Sequence, residues 1–241
     1  MIDQFSRTRL IYGVDEINQL SNKKVAIFGI GGVGGYVCES LARSGIFNFT
    51  LFDNDVVSIT NCNRQIIANL NSIGKQKTSL MKERILSINS SANVEIFNIF
   101  VNKENIDTID FTKFDYVVDA IDTITSKVLI IKKCNELNIP IISSMGAGNK
   151  INPMGFIVSD IYKTEVDPLA KAMRGILRKE GIKKLKVVYS KENPLTPKSI
   201  DPSEAELTAK RVTPGSNAFV PTACGLLIGS EVLKDLIHKE N

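Results

Sequence analysis

The run GIGGVG, residues 29–34, sits between an apolar run, KKVAIFGI, and a stretch with helical character, GVGGYVCESLARSG. G-x-G-x-x-G in that context implies a strand, a tight turn and a helix, with the turn built to approach a phosphate. Gly29 allows the turn, and Gly31 lets an anion come up to the backbone. Gly34 lets the helix pack closely on its strand. Gly32 lies in the same loop. Free N–H groups at the start of the following helix would face the anion.

The surrounding sequence repeats the alternation. Strand-like runs at 23–30, 47–53, 93–100, 114–122 and 139–146 alternate with helical stretches at 32–45, 74–89 and 126–138. In the helix over 74–89, Leu80, Met81, Ile85 and Ile88 lie on one side. Strands alternating with helices predict an α/β fold with a doubly wound, mainly parallel sheet. After Gly146 the rhythm changes. MGFIVSDI (154–161) and LKVVYS (185–190) are extra strands, and 167–181 is a helix. The proline-containing run from 191 to about 213 is expected to be a mobile crossover loop. The stretch NAFVPTACGLLIGSEVLKDLIHKE is expected to be a helix that returns to the core. We therefore expect one domain over 1–241. Its nucleotide-binding half covers about 20–146, and its substrate-side half about 147–241.

Composition excludes several chemistries. Apolar residues make up 43% of the 241 residues, enough for a real core. No run reaches the roughly 18 apolar residues of a membrane span, and MIDQFSRTRL has no signal-peptide core, so a cytoplasmic protein is expected. Cys38, Cys62, Cys134 and Cys224 show no zinc-ligand spacing and are expected to be reduced, mostly buried thiols. His238 is the only histidine and stands near the end, which leaves little basis for Ser-His-Asp or Cys-His catalysis.

Asp53 ends the second strand, where a carboxylate can accept from both hydroxyls of a ribose. To that point NAD and ATP fit equally. Asn61, Arg64 and Gln65 then follow Asp53 directly, Lys77 falls in the first turn of the next helix, and Asp122 is expected at the carboxyl end of the fourth strand. In an open α/β sheet all of them reach one crevice. Arg and Lys converging on phosphates suit the charge that develops during attack at phosphorus. A carboxylate beside them suits Mg²⁺. Taken singly, Arg64 and Lys77 read as surface cations and Asp122 as a helix N-cap. Their shared location favours a triphosphate site.

The pattern GIGGVG…LFDNDVVSITNCNRQ…GKQK…DAIDT resembles the ubiquitin-activating-like adenylyltransferases, the ThiF, MoeB and HesA kind, over essentially the whole chain. The resemblance implies a Rossmann-like enzyme that binds MgATP and activates a carboxylate as an acyl adenylate. It implies that Asp53 holds the ribose and that Asn61, Arg64 and Lys77 hold the phosphates, supported by Gln65. Asp122 would hold Mg²⁺. Arg7, more than Arg9, would reach the phosphates of the partner subunit in a homodimer. Relatives that activate sulfur carriers commonly hold zinc through two C-x-x-C pairs, and thioester-forming relatives use a crossover cysteine. This chain has neither, and residues 135–223 contain no cysteine. The segments DPLAKAMRGILRKEGIKKLKVVYSKENP and GSNAFVPTACGLLIGSEVLKDL resemble a tRNA-modifying branch, the threonylcarbamoyladenosine dehydratases. The implied reaction is activation of that nucleoside's carboxylate, followed by closure through an internal nitrogen. The alternatives are an adenylyltransferase for the C-terminal Gly-Gly of a small ubiquitin-like carrier, and a nucleotide-binding module or sulfurtransferase partner with no dehydratase activity of its own. An NAD-dependent redox enzyme ranks last.

Residues 171–191 carry eight Lys/Arg against Glu180 alone. Lys171, Arg174 and Arg178 are expected on one face of the 167–181 helix, opposite Leu169, Ala172, Met173, Ile176 and Leu177, where they could meet RNA phosphates. Tyr189 is the one aromatic in that segment able to stack on a base.

Overall fold

In a parallel sheet, strands covered on both faces need continuous apolar runs, and KVAIF and NFTLF are such runs. The structure, a computed structural model, describes residues 2–198 and 214–238. Its strands are β1 (Lys24–Phe28), β2 (Asn48–Phe52), β3 (Asn93–Phe97), β4 (Tyr116–Asp119), β5 (Ile141–Ser144), β6 (Phe156–Asp160) and β7 (Lys186–Ser190). They form one seven-stranded sheet in the order β3-β2-β1-β4-β5-β7-β6. All neighbours are parallel except β6, which runs antiparallel to β7 at the edge. The Rossmann-like expectation holds, extra C-terminal strands included.

Register sets up the site. Phe28 at the end of β1 pairs with Phe52 of β2 and with Asp119 of β4. The residues that follow these three strand ends therefore emerge at one level. The chain runs outward from β1 through β2 to β3, then crosses back to β4 and β5. A doubly wound sheet opens a crevice at such a reversal. The fourth strand ends at Asp119, not near 122, so Asp122 stands on the turn beyond the strand.

The helices are α1 (Ser6–Tyr12), α2 (Val14–Leu20), α3 (Gly34–Ala42), α4 (Lys77–Ile88), α5 (Ile124–Glu136), α6 (Pro168–Lys179) and α7 (Val220–Ile237). On one side of the sheet, Phe28 stacks on Phe52 and Phe111, and Phe114 meets Phe52 and Phe111 edge-on, with ring centroids 4.3–6.4 Å apart. On the other side, α7 lies against α3. Glycines permit this contact. A Cβ on Gly225 would stand 2.4 Å from the Val33 carbonyl oxygen, and one on Gly229 would stand 2.1 Å from Ser40 Oγ. Glu39 of α3 pairs with Arg43 at 2.7 Å and with Arg84 of α4 at 2.9 Å, which ties the neighbouring helix in.

Two expectations are corrected here. The buried stripe of α6 is Ala170, Met173 and Leu177, and Ala172 is exposed. Tyr189 is 1% exposed within the core, so it cannot stack on a base. The start of the crossover is hydrogen-bonded to residues 149–152. Glu192 accepts the N–H groups of Ile151 and Asn152, and Leu195 N–H donates to the Asn149 carbonyl. Residues 199–213 of that crossover lie outside the described residues. Among the described residues no helix is long and apolar enough to cross a membrane.

The α3–α7 contact is a test of the packing. Gly225→Ala forces backbone apart and should lower stability by about 1–3 kcal/mol, read as a reduced urea midpoint at unchanged slope. Wild-type stability would mean that α7 does not pack this closely.

Candidate functional site

The glycine loop owes its shape to close backbone approach. Gly29 has φ +90°, and a Cβ there would lie 2.7 Å from the Ala120 carbonyl oxygen. A Cβ on Gly34 would lie 1.8 Å from the Gly29 carbonyl oxygen, so only glycine lets α3 start here. Gly31 has space: its nearest neighbour would be Gln65 Nε2, at 3.8 Å. A Cβ on Gly32 would press on Pro221 of α7 at 3.1 Å and on Arg64 Cγ at 3.4 Å. No side chain caps the start of α3. Gly35 N–H donates to the Gly31 carbonyl and Tyr36 N–H to the Val33 carbonyl, each at 3.0 Å, which leaves the Gly34 N–H to an anion.

Asp53 fixes this loop to the next one. One carboxylate oxygen accepts Ile30 N–H at 2.6 Å, and the other accepts Asp55 N–H at 2.8 Å. Burial raises the Asp53 pKa above the usual carboxylate value, against the pull of the Lys77 charge and the two N–H bonds. Each oxygen has a further lone pair for a ribose hydroxyl.

Lys77 is the first residue of α4. Lys77 N–H donates to the Asp55 carbonyl at 3.1 Å, and its ammonium meets the Asp55 carboxylate at 2.7 Å. Asn61 is buried in a short 3₁₀ turn, where its Oδ1 accepts Ser58 N–H at 3.1 Å. Arg64 follows that turn. Its guanidinium donates to the Thr60 carbonyl at 3.0 Å and to Asn63 Oδ1 at 2.9 Å, and among the described residues no carboxylate pairs with it. Burial lowers its pKa. Gln65 is buried, and its Oε1 has no hydrogen-bond partner among the described residues.

Asp122 is exposed, and its one side-chain contact is with the Thr123 hydroxyl at 3.3 Å. The N-cap of α5 is Thr123, so the N-cap reading of Asp122 does not hold. What places Asp122 is a fully buried ion pair. Lys127 and Asp119 meet at 3.0 Å with both side chains 0% exposed. Lys127 also donates to the Ile121 carbonyl at 3.0 Å, while Asp119 accepts Ile121 N–H at 3.3 Å and the Ser143 hydroxyl at 2.6 Å. Both backbone groups of the residue before Asp122 are thereby fixed.

Gly29, Gly31, Gly32, Asp53, Asn61, Arg64, Gln65, Lys77 and Asp122 all line one crevice of about 760 Å³. Gly34 stands behind it, at the base of the loop. The wall on the β5 side comes from residues 144–150, Asp167–Leu169, Pro194, Pro214 and Ser216. There Lys150 pairs with Asp167 at 2.8 Å, both of them buried, and Asp167 also caps α6 by accepting Ala170 N–H. The sequence reading missed this pair. Asp167–Pro168 carries a visible helix-start signature, but nothing local marks Lys150. A second hollow of about 560 Å³ lies at the amino-terminal ends of β4, β5 and β7, beside Tyr116, Lys186 and Asp235, away from the glycine loop.

Other expected residues lie elsewhere. Arg7 is exposed on α1 and does not line the crevice of its own chain, and Arg9 pairs with Asp3 at 2.7 Å. Lys171 is exposed on α6. Arg174 turns inward and donates to the Thr164 carbonyl at 2.9 Å and to its hydroxyl, so it does not belong to a free cationic face. The Arg178 guanidinium lies 5.3 Å from the centre of the Tyr162 ring. Cys38, Cys134 and Cys224 are buried, Cys62 is half-buried, and none of the four lines the crevice. His238 is exposed at the end of α7.

The chain is similar to several known proteins. A family model described as ThiF family matches residues 5–241. A tRNA threonylcarbamoyladenosine dehydratase of Bacillus subtilis is 44% identical over 98% of this chain and 96% of its own. The Escherichia coli protein of the same name is 37% identical over 73% of this chain and 66% of its own. The solved E. coli tRNA N6-threonylcarbamoyladenosine dehydratase, TcdA, in complex with ATP has a TM-score of 0.88 at 32% identity, covering 98% of this chain and 94% of that one. Its complex with AMP matches equally.

The buried pair behind Asp122 can be tested by replacing it. Lys127→Met alone leaves Asp119 buried and unpaired and should cost about 3–5 kcal/mol. The double variant Asp119→Leu, Lys127→Met should recover most of that stability while ATP binding stays weak, because Ile121 is no longer fixed. Calorimetry and thermal unfolding on the same preparations separate the two effects. Full recovery of ATP affinity in the double variant would show the pair to be purely structural.

Proposed function

The chain belongs to the ThiF family, and from that premise we propose that it is an ATP-dependent tRNA threonylcarbamoyladenosine dehydratase. The observation that carries this reading is Arg64, a half-buried guanidinium without a carboxylate partner among the described residues, beside an uncapped α3 start. Such a cation suits an anion that arrives with the substrate. The E. coli relative solved with ATP and with AMP supports the choice of nucleotide.

The chemistry follows from the placement of charge. A carboxylate oxygen of the threonylcarbamoyl group attacks the α-phosphorus of ATP. The bond from that phosphorus to the bridging oxygen breaks, and pyrophosphate leaves. A nitrogen of the same group then attacks the acyl carbon and loses its proton, and AMP departs with the former carboxylate oxygen. The nucleoside has lost the elements of water and closed a ring. Arg64 and the Gly34 N–H at the start of α3 neutralise charge on the phosphates, and Asp53 orients the ribose. Gln65 Oε1 offers an acceptor to a bound hydroxyl or water. No enzyme nucleophile is required, in keeping with a crevice that no cysteine lines.

Asp122 would hold Mg²⁺. An exposed carboxylate with one weak contact fits an ion that takes most of its ligands from water and phosphate. The ion would supply further charge neutralisation at the phosphates. A second copy of this chain would present Arg7 to the same phosphates. In support, α1 buries none of its residues and leaves Leu10 86% and Ile11 79% exposed. The enzyme would act in the cytoplasm, where its substrate lies.

The reading is tested by mass spectrometry of nucleosides after incubation of tRNA carrying threonylcarbamoyladenosine with the enzyme and ATP. The product should weigh one water less than the substrate, and its formation should require ATP. Equal stimulation of ATP turnover by tRNA lacking the modification would refute the substrate assignment. Arg64→Ala should reduce turnover by about 10²–10³-fold, with the fold intact by circular dichroism.

A further inference from the structure

The structure redraws the cationic surface that the sequence suggested, and Tyr162 stands at its centre. Tyr162 donates its hydroxyl to the Ile182 carbonyl at 2.5 Å, and the Arg178 guanidinium lies over its ring. These two contacts gather the 3₁₀ turn Ile161–Lys163, the second half of α6 and the loop after it into one surface. Lys163 adjoins Tyr162, Lys183 adjoins Ile182, and Lys179 adjoins Arg178. All three lysines are exposed.

What distinguishes this group from an ordinary solvated face is the state of the nearby acids. Asp160 accepts the N–H groups of Tyr162 and Leu185. Glu165 pairs with Lys191 at 3.3 Å, Asp167 with Lys150, and Glu180 with Lys132 at 2.6 Å. Among the described residues no carboxylate pairs with Lys163, Lys171, Lys179 or Lys183. The surface thus carries cations whose local counter-charges are engaged elsewhere.

Its position relative to the crevice matters as much. Pro168 and Leu169 line the crevice, and Arg178 is nine residues further along α6 than Leu169. At 1.5 Å per residue the helix runs about 14 Å from the crevice wall to the Tyr162 cluster, with exposed Lys171 near its start. We propose that this path from Lys171 to the Lys163–Arg178–Lys179–Lys183 cluster is where the phosphate backbone of tRNA lies while the modified nucleoside occupies the crevice. The inference rests on the tRNA-modifying reading. It excludes Arg174, whose guanidinium is committed to Thr164. It replaces the buried Tyr189 with Tyr162, which keeps Arg178 in a fixed, stacked orientation.

The test uses the full chain and tRNA carrying threonylcarbamoyladenosine, with affinity measured by fluorescence anisotropy between about 50 and 200 mM salt. Each lost phosphate contact lowers the slope of log affinity against log salt by about 0.7–0.9. The triple variant Lys163→Gln, Lys179→Gln, Lys183→Gln should therefore lose about 2–3 from the slope. Its ATP affinity, its unfolding temperature and its turnover at saturating tRNA should be unchanged. Arg174→Gln should lower the unfolding temperature and leave the slope alone. A wild-type slope in the triple variant overturns the proposal. So does a triple variant that instead loses binding to anionic phospholipid vesicles, which would assign the surface to a membrane. Failure of the functional reading looks different: the wild-type protein would form no dehydrated nucleoside, yet the slope would still fall in the variant.

Discussion

The Asp119–Lys127 ion pair is the interaction on which the site's geometry turns. It joins the end of β4 to α5, takes in Ser143 of β5, and holds the N–H and the carbonyl of Ile121. Burying two charges is costly, and an apolar pair would pack there at no loss of stability. The ion pair does something an apolar pair cannot, which is to hold a turn in one conformation by hydrogen bonds. That turn carries Asp122, and Ala120 within it limits how near Gly29 can come. The glycine loop and the Asp122 turn thus meet across the switch point as two rigid edges. Their separation is decided by backbone contact, before any ligand enters.

The crevice is well supplied with cations, but few of them are free. Lys77 is neutralised by Asp55 and Lys150 by Asp167. Arg64 has only neutral acceptors. An arriving polyphosphate would therefore find one uncompensated guanidinium and a helix start, with Lys77 contributing only as far as Asp55 releases it. This ranks the residues electrostatically, which the sequence motif alone does not do. In the motif Lys77 and Arg64 look equivalent. In the fold, one is already in an ion pair and the other is not.

Much of this was legible in the sequence because it is local. The apolar runs marked β1, β2 and β4, and G-x-G-x-x-G marked the turn. Asp53 followed from strand length, and its neighbours Asn61, Arg64 and Gln65 came with it into the crevice. Long-range partners were not legible. Nothing in the sequence around Lys150 says that it will face Asp167, or that Lys127, read as one more helix residue, will be fully buried. On α6, Met173 and Leu177 face inward as expected, and the stripe was misread only at Ala172, whose place is taken by Ala170 one turn before Met173. Arg174 belonged to the outward set by periodicity alone, but a long side chain goes where acceptors are, and Thr164 supplies two. The short helices α1 and α2 were not assigned, since seven residues give too few turns for a periodic signal.

The positions of the thiols bear on the reaction as a whole. Burial pushes the Cys224 thiol pKa up to about 12, against the lowering effect of its contact with the Ser144 hydroxyl, so it stays protonated and unreactive. Cys38 and Cys134 are raised for the same reason of burial. A route through an enzyme-bound thioester would need a thiolate within reach of an activated acyl group, and no cysteine lines the crevice. When the nucleophile is a nitrogen of the activated molecule itself, that requirement disappears. The attacking atom is tethered to the acyl carbon, so the effective concentration comes from the substrate's own covalent structure. The protein then has to hold a nucleotide, neutralise a departing phosphate and keep the acyl group facing the α-phosphorus. Those tasks require the fixed edges, the Arg64 guanidinium, unpaired among the described residues, and the walled β5 side of this crevice, and none of them requires a reactive side chain.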